Sequence, residues 1–541
     1  MKTLRDIQLY HIVESLPEYK AIERMYGMET SLHLFDFICS SYKNIAFQSA
    51  AMQIGLKLVT GNSQKAFETG ALVLQACKDK GIYELKQNDK SIWITPIMQF
   101  DEDEMYLLHD MHFETHEVPE VVKDNTDILL TQFSKHKRPL NYEFLNKINK
   151  IPFELDMDIL FNFSGENMPV SYNKVTAEYL AKPIHFKWRY DSRGRSYPEG
   201  YAINIQGNKT VRAAIQFKNK EQIKRKDPLL ISLANARGFD NWTWERRIKW
   251  AKEQKISHNI EIPKGTKYPE KYAKTVRAIL DYKKGIPSGF PMELDATASG
   301  IQIMAAITGC VQTAREVNLV DPLRRKNVYG TVARKMSTYE DVSITKDEVK
   351  YPAMTHYYNS LATPKDVFDP NELGAFYSCL DGLLPGAEFA MNELNKCWDS
   401  TAKYHTWTLP DGHTAFIRTM TTEVAEYEYN NTKVKYQYYV NKGNKTDYRS
   451  LVPNIIHSID GYIVRQMILR CNFELVHVHD CFLFHPNHYE EVCRMYRKIL
   501  AELVTDYNIN HIIKQLKGIE TNHFVNPELV SMIHKSSYAL S

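Results

Sequence analysis

Apolar residues at spacings of three and four dominate the first part of the chain. They predict helices over 31–47 and 64–78, the second introduced by Asn62-Ser63 as a cap. Strand-like residues first occur at Ile92-Trp93-Ile94. From Asn141 onward, Phe144, Leu145, Ile148 and Ile151 share a helical face and predict a helix carrying 145–153. A Lys/Arg-rich helical stretch with three tryptophans (Trp242, Trp244, Trp250) fills 218–285 and reads as a peripheral, solvated insertion. A short apolar run then ends on Asp295. Small residues (Ala296-Thr297-Ala298-Ser299-Gly300) hand over to a new helical pattern at Ile301, Met304, Ala305 and Ile307. Further helices are predicted at 328–335 and 344–360. In the latter Lys346, Lys350, Met354 and Tyr358 share one face, and Pro352 removes a ladder bond and is placed to kink it. Residues 416–450 alternate polar and aromatic around Asn430-Asn431. That pattern predicts a projecting β-ribbon with an acidic arm (Glu426, Glu428) across from a basic one (Lys433, Lys435). Alternation on both sides of His479-Asp480 predicts a second, tighter hairpin.

The length of 541 residues exceeds a single simple core and suggests two to four subdomains at roughly 100–200 residues each. With 43% hydrophobic and 25% charged residues the chain is a globular protein, not a disordered one. No apolar run reaches the roughly 20 residues of a membrane span, and Met1–Asp6 lacks a signal-peptide core. Eight cysteines without a C-x-x-C pair fit reduced, mostly buried thiols. A net charge of +3 does not announce nucleic acid, so any basic cleft must be local.

Three stretches carry candidate chemistry. Asp295, at a strand end before a helix, suits either a helix cap or a metal ligand. Lys187, Arg189, Arg193 and Arg195 interleave with Trp188, Tyr190 and Tyr197 around Gly194. That composition suits a nucleic-acid track or an Arg–Asp surface turn with Asp191. The Lys346/Lys350/Tyr358 face suits either a solvated helix or a grip on a triphosphate at one end and a base or sugar at the other. Asp480, at a hairpin tip, is the partner carboxylate that would raise Asp295 to half of a metal site. His477, His479 and His485 nearby do not complete a zinc set, since no cysteine pair joins them.

Taken together, Asp295 with Ser299-Gly300-Ile301-Gln302, the Lys346/Lys350/Tyr358 helix and His479-Asp480 resemble motifs A, B and C of the bacteriophage-type single-subunit RNA polymerases, in the same order. Asp191-x-Arg193-Gly194-Arg195-x-Tyr197, Trp407-Thr408-Leu409-Pro410-Asp411-Gly412 and Pro453–Gly461 extend the resemblance over about 141–541. The resemblance implies an α/β fold of the α+β kind, a right hand of palm, fingers and thumb. Its expected divisions are a reduced helical N-terminal and thumb-like region (1–140), palm (141–310 and 456–541) and fingers with a specificity ribbon (311–455, ribbon 418–450). It implies DNA-directed RNA synthesis from NTPs on a DNA template, with two Mg²⁺ ions held by Asp295, Asp480 and the Ala296 carbonyl. It assigns Lys350 to the leaving phosphates and Lys346 to a position the family usually fills with arginine. Tyr358 is matched to a nucleotide-gating tyrosine and Tyr329 to an aromatic near the insertion site. Arg195 is matched to a contact with the template–product hybrid, with Arg193, Tyr197, Ser360 and His479 as further nucleic-acid or substrate contacts. Gly300 leaves open the space that a glutamate fills in related DNA polymerases. His457 and Tyr358 are then expected to meet the ribose, which favours ribonucleotides over deoxyribonucleotides.

The sequence departs from that family at Cys481, where serine is usual, and at Tyr351-Pro352. The segment between Ser360 and Trp407 is short. The 140 residues ahead of the expected palm predict a reduced enzyme helped by an accessory protein or by single-stranded or premelted template. Its setting would be the cytoplasm of an infected bacterium. Residues 537–541 resemble the aromatic-small end that the family folds back toward its site. A family A-type DNA polymerase, a primase-like polymerase, or an inert nucleic-acid-binding subunit on the same fold are the alternatives.

Overall fold

The computed structural model describes residues 10, 13–39, 45–59, 62–88, 91–97, 118–119, 139–163, 183–199, 203–207, 209–360, 362–429, 432–444 and 447–541. The acidic run 101–104, the basic run 135–138 and the Asn430-Asn431 turn lie outside them.

Local signals set most of the elements. Asn62 accepts a hydrogen bond from the Lys65 amide at 3.0 Å and starts the helix Ser63–Asp79. The helix expected over 31–47 is instead Met28–Cys39, and a strand (Ile45–Ala46) and a new helix (Phe47–Leu58) follow. Ser91–Pro96 pairs with Tyr83–Asn88, so the predicted strand there is half of a hairpin. Asn141 caps Tyr142–Ile148, and that helix stops before the expected 153: Pro152 resists helix continuation and Phe153–Leu155 is a strand.

Among the described residues every strand pair is antiparallel, in sheets of two or three strands, with helices between them. This is a mixed α+β architecture. Two apolar cores result. The larger joins residues from 140 to 540, and the smaller joins the helices and sheet of 13–94 with Tyr429, Val434 and Tyr436 of the ribbon.

The ribbon Met420–Tyr429 and Thr432–Asn441 has the expected register, Glu426 opposite Lys435 and Glu428 opposite Lys433, with a 3.6 Å ion pair at the first. It does not project with both faces free. Tyr436 stacks on Phe67 at 3.7 Å and Tyr429 meets Phe47 at 4.2 Å. Alternation therefore leaves Lys433, Lys435, Gln437 and Tyr439 outward.

The stretch 218–285 is not a solvated periphery either. Its helices Asp227–Arg237 and Pro269–Lys284 bury Leu229, Leu230, Leu233, Val276 and Ile279 in the main core. Lysines and arginines raised the charge of the stretch, but the apolar positions on its helices decide where it sits.

Candidate active site

The site is built on a three-stranded sheet. Its order is Leu475–Val478, Cys481–Phe484, Met292–Asp295. In the last strand Met292 and Leu294 point into the core, so Glu293 and Asp295 point away from it. Asp295 is not the cap of the following helix. The N-cap of Ser299–Thr308 is Ala298, which makes no side-chain cap bond and has φ 69°. A left-handed alanine costs on the order of 1 kcal/mol, and here it turns the chain sharply from strand into helix. Gln302 locks that turn: its Nε2 donates to Thr297 Oγ1 and to the carbonyls of Val317 and Ala539, and its Oε1 accepts from Tyr496.

His479-Asp480 forms the hairpin tip as expected, with His479 in the left-handed region at φ 54°. Cys481 is the register partner of Asp295, and the Ala296 amide donates to the Asp480 carbonyl at 3.2 Å. The sheet thus places the two aspartates side by side. Residues 539–541 run along the other side of 295–297. The Asp295 carbonyl accepts from the Ser541 amide at 2.8 Å, and Leu540 bridges Ala296. The Ala296 carbonyl also accepts from the Ala298 amide at 3.0 Å, leaving one lone pair for a further contact. Asp295 is open to the cavity yet walled by protein. Burial, then Asp480, Glu293 and Asp240, hold its carboxyl well above the usual carboxylate range.

Opposite stands the helix Lys346–Tyr357. Thr345 and Glu348 form a capping box, and Pro352 lies buried inside the helix without ending it. Lys346, Lys350, Met354 and Tyr358 line one cavity of ≈ 410 Å³ together with Asp295, Ala296, Gly300, Tyr329, His479, Asp480 and Arg195. Among the described residues neither Lys346 nor Lys350 has an ion pair. Gly300 is open: a Cβ there would stand 3.6 Å from Ile456 and 4.0 Å from the Tyr358 hydroxyl.

The back wall joins three motifs that are far apart in sequence. Asp191 Oδ1 accepts from the amides of Arg193 and Arg195, and its Oδ2 accepts from Arg193 Nε. Arg193 donates to His457 Nδ1 at 2.9 Å. Arginine can only donate, so the His457 proton sits on Nε2. Burial, with Arg195 and Arg193, depresses the His457 pKa to about 2, and the ring is neutral. Arg195 is gripped by Asp460 at 3.0 and 2.7 Å. Arg465 pairs with Asp411 at 2.6 Å, both almost fully buried, and donates to the Gly194 carbonyl. Gly461 permits this closeness, since a Cβ there would stand 2.5 Å from the Gly194 oxygen.

Arg193, Tyr197 and His457 are not in the cavity lining, but they stand beside it: the His457 ring lies 5.0 Å from that of Tyr358, and Tyr197 is edge-on to His479 at 5.6 Å. Arg195 reaches the cavity but spends its guanidinium fork on Asp460. Ser360 is not in the lining; its Oγ lies 3.1 Å from Thr363 Oγ1. His477 is buried against Ser196 at 2.7 Å, and His485 contacts the Ser288 carbonyl at 2.8 Å. Sequence reasoning missed Asp240 on the cavity rim and the holding roles of Gln302 and Asp460. A buried glutamine and a buried aspartate on apolar helices were the available signals.

Two segments, 226–360 and 405–537, match the family model of DNA-dependent RNA polymerase, and they carry Asp295, the lysine helix, His457 and Asp480. The chain is 23% identical over 419 residues to the DNA-directed RNA polymerase of Pseudomonas phage phiKMV, covering 64% of this chain and 51% of that protein. It is 21% identical over 463 residues to a probable DNA-directed RNA polymerase of Gelasinospora sp., covering 68% and 56%. With the mitochondrial DNA-directed RNA polymerase of Neurospora crassa it shares 27% identity over 197 residues, 34% of this chain and 14% of that one. The chain spans about half the length of the first two of these curated relatives. With its motif residues gathered in the matched segments, the chain belongs to the single-subunit DNA-dependent RNA polymerase family.

Proposed function

We propose that the chain is a DNA-directed RNA polymerase that adds ribonucleoside monophosphates to an RNA 3′ end and releases pyrophosphate. The observation that carries this is one cavity lined by two adjacent aspartates and by two lysines that have no ion pair among the described residues. Two like charges held side by side call for a cation, and the raised Asp295 carboxyl fits that demand. Mg²⁺ keeps waters and takes phosphate oxygens beside one or two carboxylates, so two aspartates and a carbonyl are a sufficient protein donor set for it. Asp295, Asp480 and the Ala296 carbonyl would hold the ions. When bound, two Mg²⁺ lower the pKa of the 3′-hydroxyl and stabilise the leaving oxygen.

The chain's own groups do the rest. Lys346 and Lys350 bind the triphosphate. The RNA 3′-hydroxyl gives up its proton to solvent as its oxygen bonds to the α-phosphorus, the bond from that phosphorus to the bridging oxygen breaks, and Lys350 offers a proton to the departing pyrophosphate. Tyr358 and Tyr329 flank the base and sugar. His457, neutral and carrying its proton on Nε2, can donate to a ribose hydroxyl, and Gly300 leaves room for it. Arg193 and Asp460 act by position, on His457 and Arg195. Arg195, Tyr197, His479 and Ser360 lie toward the nucleic acid in this reading. Residues 141–310 and 456–541 form the palm, 311–455 the fingers, and 1–140 the N-terminal region. The outward ribbon residues Lys433, Lys435, Gln437 and Tyr439 suit a DNA groove. The phage relative supports a virus-encoded enzyme working in a bacterial cytoplasm, while the fungal mitochondrial relative shows a wider family.

The test is template-directed incorporation of NTPs against dNTPs by the purified chain, with and without Mg²⁺. Asp480→Asn should abolish incorporation while retaining template binding. Equal use of NTPs and dNTPs would favour a DNA polymerase, and activity surviving in Asp480→Asn would remove the mechanism.

A further inference from the structure

A second cavity of ≈ 390 Å³ adjoins the first behind Asp295. Its floor is the outward face of the strand that carries Glu293 and Asp295. Its roof is the 269–284 helix and the loop before it, which present Lys267, Lys271 and Lys274 on one side. Arg212 closes one end. Asp240, Lys267, Asp295, Lys350 and Ser541 line both cavities, so the two communicate at the phosphate end of the lysine helix.

Five cations line this space: Arg212, Lys267, Lys271, Lys274 and Lys350. Two are already used. Lys271 pairs with Glu293, and Lys274 donates to the carbonyls of Ala213 at 2.7 Å and Ile215 at 2.8 Å. Arg212, Lys267 and Lys350 have no ion pair among the described residues. Arg212 Nε is buried with no hydrogen-bond partner among the described residues. A buried donor left unmade costs about 1–3 kcal/mol. Asp240 is the remaining carboxylate besides Asp295. The wall therefore carries three positive charges in excess when Asp295 is balanced by a metal ion: Lys271 and Glu293 cancel, Asp240 offsets one of the other four cations, and the carbonyls on Lys274 leave its charge in place. A small anion with several acceptor oxygens satisfies that surplus and the Arg212 donor together.

We infer that this side cavity receives the pyrophosphate leaving group, with Arg212 and Lys267 as its binding residues and Lys350 as the hand-over point. This rests on the nucleotidyl-transfer reading above. From Tyr358 to Lys350 the helix advances about 12 Å at 1.5 Å per residue, a span that fits a nucleotide's base, sugar and first phosphates. The cavity begins where that span ends.

The test compares product inhibition by inorganic pyrophosphate with the KM for NTP, in the full chain with Mg²⁺. Arg212→Gln and Lys267→Ala should each raise the pyrophosphate Ki about tenfold, the scale of one charge-assisted hydrogen bond, with KM changing less than twofold. Lys267 is exposed, so its variant folds even if Arg212→Gln does not. Unchanged Ki values, or Ki and KM rising together, would overturn the assignment, the latter by placing both residues on the incoming triphosphate. Calorimetric titration of pyrophosphate into the Mg²⁺-loaded chain gives a readout independent of turnover. Binding lost in both variants by a chain that transfers no nucleotide would sink the polymerase reading but not the anion site. Active transfer with variant-insensitive binding would do the reverse.

Discussion

The adjacent aspartates predict a protein that is held back by its own active site until a cation binds. Replacing Asp295 by asparagine keeps the shape and removes one of the two charges. Asp295 lies across the sheet from Cys481, one residue from Asp480. Directly opposite and diagonal neighbours in a sheet are roughly 5–8 Å apart. At about 6 Å and an effective dielectric constant of about 20, two like charges repel by about 3 kcal/mol. Because Asp295 opens onto a solvent-filled cavity, screening reduces this to on the order of 1–2 kcal/mol. The assay is thermal unfolding at pH 8, in EDTA and in Mg²⁺. In EDTA, Asp295→Asn and Asp480→Asn should melt a few degrees above the natural chain. Mg²⁺ at ten times its Kd should add about 1.4 kcal/mol to the natural chain and far less to either variant. The pH dependence has a fixed sign. Asp295 holds its proton more tightly folded than unfolded. Its penalty is therefore absent below about pH 4 and grows as pH rises through the folded value. Metal-free stability should fall across that window, and Asp295→Asn should flatten the fall. Variants no more stable than the natural chain in EDTA, or equal Mg²⁺ shifts in all three, would refute the reasoning.

Three further outcomes follow from the same geometry. His457 and His477 have pKa values depressed to about 2 and about 3, burial being the first cause in each. Both must take up protons on unfolding below about pH 6.5, so each should contribute a loss of about 1.4 kcal/mol per pH unit as pH falls from there toward 3. Urea unfolding between pH 5 and 7 reads this, and His477→Gln should reduce the slope by one proton. Arg465→Ala strands Asp411 in the core and should cost about 3–5 kcal/mol. Denaturation of Arg465→Ala against the double variant Arg465→Met/Asp411→Leu checks it, with substantial recovery expected in the double. Gly300→Ala should leave the fold intact, because a Cβ there makes only ordinary contacts. Gly300→Glu should lower the NTP-to-dNTP preference at least tenfold by filling the space beside the Tyr358 hydroxyl, measured by kcat/KM for matched substrates.

The chemistry-bearing residues were legible because local rules placed them. Alternation put Asp480 on a hairpin tip, a four-residue spacing put Lys346, Lys350 and Tyr358 on one face, and small residues after Asp295 announced a turn. Long-range partnership was not legible. Asp295 passes as a helix cap in sequence, and only the strand register with Cys481 and the capping by Ala298 show that it is not one. Arg195 reads as a free cation, yet Asp460, 265 positions away, holds it.

The sequence by itself determined most of the element types, the strand-end and hairpin-tip positions of the two carboxylates, the lysine face and the ribbon's acid–base register, since each depends on spacing within one short segment. Tertiary structure decided the ribbon's docking on Phe47 and Phe67, and the burial of the 218–285 helices over the sheet. It also decided the second cavity lined by Arg212 and Lys267. Each of these arises from apolar faces meeting across long separations. Such meetings depend on which surfaces can be buried together, a property of the whole core that no local spacing encodes.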